Sequence, residues 1–167
     1  NVELRSSFQA KIKRYEEEAR PLVYLDESGF AHDMPRTHGY APRGERCYGT
    51  HFWGARGRTN VIGALWNHQL LTVSLFHGNI DSVTFEAWLK HDLLPKLPER
   101  SIIVMDNAAF HKSKTTQELI DGAGHTLEYL PPYSPDLNPI EHKWAQAKAR
   151  RRQHDCSIDE LFQQHCI

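Results

Sequence analysis

The chain has 167 residues, 40% of them hydrophobic and 25% charged, which fits one globular domain with a real core. No apolar run approaches the roughly 18 residues of a membrane span, and no signal-peptide pattern opens the chain. A net charge of −1 leaves no global pull toward an anionic partner, so any nucleic-acid reading rests on local clusters.

The chain opens on Asn1 rather than Met, which reads as a piece of a longer protein. Residues from about Ser6 to Arg20 are polar, with Phe8, Ile12 and Tyr15 at helical spacing. They predict a short amphipathic helix, stopped by Pro21 and serving as a linker over 1–20. Leu22-Val23-Tyr24-Leu25-Asp26 predicts the first core strand, over about 22–27. Residues 28–59 are rich in Gly, Pro and Arg and predict a loop with a short strand near 46–52. Asn60–Leu65 and Leu70–Phe76, joined by Trp66-Asn67-His68-Gln69, predict an antiparallel hairpin.

Asp81 or Ser82 caps a helix that carries Phe85, Trp88, Leu89, Leu93 and Leu94 on one face and ends near Pro95. A second buried strand follows at about 101–106 and ends on Asp106. Ser113 caps a helix to about Ala123, which Gly124 terminates. Thr126–Leu130 is a further strand, and a proline-rich loop over 131–137 leads to a helix from Pro139 to about Arg152. A last short helix starts after Ser157. A hairpin followed by βαβ units predicts an α/β fold: a mixed sheet with helices on its faces.

Asp26 and Asp106 each close an apolar run that reads as a central strand of a largely parallel sheet. Open α/β sheets build their sites at such strand ends. Neighbouring strands lie about 4.8 Å apart, so the two carboxylates repel unless a cation neutralises them. Divalent ions relieve that repulsion and serve phosphodiester chemistry.

Glu141 follows in Tyr133-Ser134-Pro135-Asp136-Leu137-Asn138-Pro139-Ile140-Glu141. On spacing alone it belongs to a capping box, three residues after a good N-cap, Asn138, with Pro139 at the first helical position. The rigid prolines before it favour the other reading, a ligand held at a helix terminus. His111 and Asn107, close after Asp106, are possible accessory residues. Asp136 and Glu27 read as bystanders.

Two basic clusters stand out. Arg36, Arg43, Arg46, Arg56 and Arg58 share their stretch with one acid, Glu45, and Lys143, Lys148, Arg150, Arg151 and Arg152 share theirs with none. Both are candidate phosphate contacts, and the second reads equally well as a solvated helix face. Cys47, Cys156 and Cys166 form no CxxC pair, which points to a reducing compartment without a disulfide framework. Cys47 and His51 stand four apart without a second pair, so no structural zinc is expected.

Leu25-Asp26-Glu27-Ser28-Gly29-Phe30, Met105-Asp106-Asn107-Ala108 with His111, and the run from Tyr133 to Glu141 with Trp144 resemble the DDE transposases of the mariner superfamily. The likeness is greatest to its bacterial insertion-sequence branch, in which the residues between the second and third acids number as they do here, 34 from 107 to 140. The resemblance implies a ribonuclease-H-like fold over 21–167, with 1–20 leading in from an N-terminal DNA-binding region. It implies that Asp26, Asp106 and Glu141 are catalytic and hold two Mg²⁺ or Mn²⁺ ions. It implies cleavage at transposon ends, 3′-hydroxyl attack on target DNA at TA steps, a homodimer and a bacterial, nucleoid-associated cytoplasmic setting with no membrane partner. The rival readings are a ribonuclease-H-like nuclease and a truncated or domesticated transposase that only binds DNA or other subunits.

Overall fold

The computed structural model describes residues 1–32, 43 and 57–164. Among the described residues five strands form one mixed sheet in the order β3-β2-β1-β4-β5. In chain order these are β1 Leu22–Ala31, β2 Arg58–Trp66, β3 Gln69–Phe76, β4 Ile102–Met105 and β5 Thr126–Tyr129. β1, β2 and β3 pair antiparallel, whereas β4 runs parallel to both β1 and β5.

β1 is longer than the sequence predicts. Its antiparallel ladder to β2 continues through Ser28↔Val61 and Gly29↔Asn60 to Ala31↔Arg58. Gly29 reads as a loop glycine but lies within the strand. It makes room for Arg58, whose Nε stands 2.6 Å from where a Cβ would be. The hairpin forms as predicted, with Asn67 and His68 at positive φ, 52° and 66°, as a tight two-residue connection requires. The expected strand near 46–52 and the Cys47/His51 pair lie outside the described residues.

Helices cover both faces. On one, α2 Ser82–Trp88 is capped by the Asp81 side chain, continues through a wide π turn at Leu89–Leu93 and a 3₁₀ turn at Leu94–Lys96, and buries Phe85, Trp88, Leu89 and Leu93. These meet Val23, Leu25, Ile103 and Met105 of the sheet and Ile120 of α3 Lys114–Gly122. On the other face, α4 Ile140–His154 and α5 Ile158–Gln164 set Ile140, Trp144, Ala147, Ile158 and Leu161 against Phe30, Val61 and Leu65.

α1 Val2–Glu17 begins earlier than its periodicity indicates, with the Asn1 side chain accepting from the Glu3 N–H. It lays Phe8, Ile12 and Tyr15 on Ile102, Val104 and Leu130. β4 is fully buried from Ile102 to Met105, as an inner parallel strand covered on both faces must be. No helix among the described residues is long and apolar enough to cross a membrane.

Candidate active site

β1 and β4 run in register, with Leu22↔Ile102, Val23↔Ile103 and Tyr24↔Val104. Asp26 and Asp106 each lie two residues beyond the last parallel pair, at the same level. Asp26 is therefore not at the end of its strand. It marks the end of the parallel ladder, where β1 carries on paired only to β2. Alternation along β1 sends Val23 and Leu25 into the α2 face and Tyr24 and Phe30 into the α4 face, so Asp26 is aimed at α4.

The loop after β5 brings Glu141 to the same place. Asn138 is buried and fixes the start of α4: its Nδ2–H donates to the Leu25 carbonyl at 3.2 Å, and its Oδ1 accepts from the Ile140 N–H at 3.3 Å. The backbone N–H of Asn138 donates to the Pro135 carbonyl at 3.0 Å. A capping box needs that same N–H for the Glu141 carboxyl. Its carboxyl is instead hydrogen-bonded to Asp26. A true capping box forms at α5, where Ser157 and Glu160 bond reciprocally, each at 3.2 Å.

Asp26, Asp106 and Glu141 line one cavity of about 210 Å³ together with Asn107, Asn138 and the loop from Leu130 to Pro135. Burial pushes the Asp26 carboxyl up to about 8, helped by its hydrogen bond to Glu141 and by the negative charges of Glu141 and Asp106. Asp106 behaves oppositely. Its Oδ1 accepts from His111 Nδ1–H at 2.7 Å and from the Ala108 N–H at 2.9 Å. The His111 bond, aided by the Ala108 N–H, outweighs burial and holds this carboxyl below the usual range. His111 is itself buried against the Phe85 ring, 4.6 Å between centroids. Asn107 Nδ2–H donates to the Leu130 carbonyl and ties this turn to the end of β5.

Among the described residues no three His, Cys, Asp or Glu side chains converge into a ready-made metal cluster. Asp106 is turned to His111, while Asp26 and Glu141 share a hydrogen bond. The donor set nevertheless fits a hard divalent cation. Three carboxylates, those of Asp26, Asp106 and Glu141, face one cavity and supply the oxygen donors such an ion takes.

The other singled-out residues sort unevenly. Asp136 accepts two bonds from the Arg5 guanidinium, at 3.0 and 2.6 Å, and Arg5 also reaches Ser134 Oγ at 3.0 Å. It thus anchors the proline-rich loop to α1. Glu27 points to the opposite face from Asp26, and its buried Oε2 has no hydrogen-bond partner. Arg151 does not face solvent as a phosphate contact would. It is 6% exposed and donates to the carbonyls of Ala31 at 2.5 Å, His32 at 3.3 Å and Cys156 at 3.4 Å. The reason is its place on α4, seven residues after Trp144 and four after Ala147 on the inward stripe.

Arg43, Arg58 and Arg152 are exposed, Lys143 and Arg150 half-buried, and Lys148 holds its Nζ over the Phe30 ring at 5.3 Å. Arg36, Arg46 and Arg56 lie outside the described residues. A further contact went unread in the sequence: Trp144 Nε1–H donates to Asp26 Oδ2 at 3.2 Å. The available signal is the Glu141-x-x-Trp144 spacing, which puts both side chains on one face of a helix.

Carboxylates gathered where a parallel ladder ends, in a mixed sheet with helices on both faces, define an α/β domain of ribonuclease-H-like type. Residues 21–161 match the family model described as DDE superfamily endonuclease, and the chain belongs to that family. Among solved structures it is similar to the Mos1 transposase paired-end complex with a left transposon end: TM-score 0.72, 17% identity, 89% of this chain and 47% of that one. The mariner Mos1 paired-end complex with Mg gives a TM-score of 0.69 at 18% identity, over 89% and 48% of the two chains. The isolated Mos1 catalytic domain gives 0.59 at 14%, over 89% and 69%. At these identities the likeness is one of fold, and this chain spans about half the length of the Mos1 chains in the complexes. A search of curated proteins finds no match.

Proposed function

We propose that this chain is the catalytic part of a transposase, cutting DNA at transposon ends and transferring the freed 3′-hydroxyl to target DNA. The observation that carries the reading is the meeting of Asp26, Asp106 and Glu141 at one cavity in a member of the DDE superfamily endonucleases. Asp26, Asp106 and Glu141 would hold two Mg²⁺ or Mn²⁺ ions; Mos1 complexes with each metal lend support. When bound, the ions supply Lewis-acid activation of the attacking oxygen and stabilisation of the leaving one.

The chain's own groups prepare that chemistry. His111 and the Ala108 N–H keep Asp106 ionised and fixed in orientation. Asn107 holds the Asp106 turn against the end of β5, and Asn138 holds α4, with Glu141 in its first turn, against β1 beside Asp26. The backbone of DNA is contacted, in this reading, by Arg43, Arg58, Lys143, Lys148, Arg150 and Arg152. A homodimeric assembly and membership of the bacterial insertion-sequence branch belong to the same proposal; the spacing of Asp106 and Glu141 supports the branch.

The test is nicking of supercoiled plasmid in Mn²⁺, with Asp106→Asn as the control variant. Wild-type nicking that requires metal and disappears in Asp106→Asn is expected, with the variant still folded at the assay temperature. Cleavage surviving in Asp106→Asn would remove Asp106 from the mechanism. Cleavage without joining of a preprocessed transposon end would favour the nuclease reading over the transferase.

A further inference from the structure

Trp144 combines two properties that core filling does not require together. Its ring is locked: 2% exposed, edge-on to Phe30 at 6.4 Å and to Phe162 at 6.5 Å, both at 80°. Its single polar atom, Nε1, donates to Oδ2 of Asp26 at 3.2 Å. The sheet makes room for this pose at one position. Gly63 of β2 is the register partner of Asp26, and a Cβ there would stand 2.6 Å from Cη2 and 3.1 Å from Cζ2 of the indole. An approach under 3 Å is closer than a Cβ tolerates, so the ring or the strand would have to shift.

We propose that Trp144 is a positioning residue for Asp26, with Gly63 as the slot that admits it. The inference rests on the metal-dependent reading above. The terminal torsion of an aspartate is broad, so the plane of a carboxylate on a strand turns easily about its Cβ–Cγ bond. Tying one oxygen to an immobile donor fixes that plane and sets the direction of the other oxygen. The indole N–H donates only and does not titrate, so the donor side of the constraint is the same at every working pH. Glu141 and Trp144 stand three residues apart on α4, so one helix presents a carboxylate to the cavity and orients the carboxylate of the facing strand. Any shift of α4 moves both together.

The experiment measures Mn²⁺ affinity of the full chain by electron paramagnetic resonance of the free ion, beside the thermal transition. Trp144→Phe keeps most of the packing and removes the donor. Benzothienylalanine in place of Trp144 keeps the ring shape, replaces N–H by sulfur, and decides the matter if Trp144→Phe folds poorly. Loss of a hydrogen bond that orients a metal ligand costs roughly 10- to 100-fold in affinity, and that loss is expected in both variants, with the benzothienyl form melting as wild type does. Gly63→Ala should weaken Mn²⁺ binding in the same direction. Unchanged affinity in both Trp144 variants overturns the proposal and leaves Trp144 a core residue, while the metal reading stands on wild-type binding. Absence of Mn²⁺ binding by wild type overturns the metal reading itself, and this inference with it.

Discussion

Asp26→Asn should stabilise the metal-free protein at neutral pH, although it removes a candidate metal ligand. In the folded chain the Asp26 carboxyl moves from an ordinary 3.8 to about 8, chiefly because it is buried and secondly because of its hydrogen bond to Glu141 and the negative charge there. A folded-state value raised above the unfolded one means the associated stability is complete below about pH 4 and drains away as pH rises toward 8. Each unit of displacement is worth about 1.4 kcal/mol, so the ceiling at pH 7 is roughly 4 kcal/mol. Relaxation and water entry around a buried charge lower the effective penalty, so a loss of about 2 kcal/mol is the working figure. Asparagine has no charge to bury, keeps an oxygen for the Trp144 N–H and offers an amide donor to Glu141. Thermal unfolding in EDTA at pH 5 and pH 8 checks this. At pH 8 the variant should melt roughly 4 to 8 °C above wild type, with the gap shrinking at pH 5. Added Mn²⁺ should raise the wild-type transition and leave the variant nearly unmoved. A pH-independent gap, or a variant less stable at pH 8, would refute the account of a strained carboxyl pair.

Arg151→Ala should lower stability by roughly 2–4 kcal/mol, because it leaves the carbonyls of Ala31, His32 and Cys156 without their buried donor. Arg152→Ala should leave the melting transition alone and weaken DNA binding, lowering the salt slope by about one in a titration of log affinity against log salt. Equal effects of the two variants on DNA binding would contradict the burial of Arg151. At Asp92, burial raises the carboxyl, but hydrogen bonds from Lys96, Thr72 and Ser74 outweigh it and hold the group low. Its contribution, on the order of 1 kcal/mol, is present above pH 4 and lost as pH falls through the depressed folded value. Asp92→Asn should therefore cost stability at pH 7 and converge with wild type in acid unfolding curves.

The elements whose periodicity settles them were legible in the sequence. The hairpin announces itself through Asn67-His68 between two apolar runs, and α3 through Ser113 and Gly124. Gly29 misled because a glycine that admits a neighbouring side chain looks the same in sequence as one that turns the chain. Arg151 misled because a run of basic residues hides the helical phase that turns one of them inward. The competition for Glu141 was undecidable from spacing, since it hangs on where one backbone N–H of Asn138 points. The Pro135 carbonyl settles that through a turn that no local pattern specifies. Trp144 is readable as core, but its bond to Asp26 depends on how α4 crosses β1 and on the absence of a Cβ at Gly63.

The parallel pairing of β1 with β4 has a consequence for how the chain acquires a site at all. The β2–β3 hairpin closes between neighbours in sequence, whereas Leu22 meets Ile102 across an intervening 79 residues (23 to 101). Closing so long a loop is entropically costly and slow, so the hairpin has the shorter route and the β1–β4 seam the longer one. Asp26 and Asp106 are level only once that seam exists, and Glu141 joins them only when Asn138 meets the Leu25 carbonyl, a contact still more distant in sequence. A partly made or partly unfolded chain therefore carries all three acids without assembling them, and their common cavity arises with the long-range contacts rather than with the first local ones.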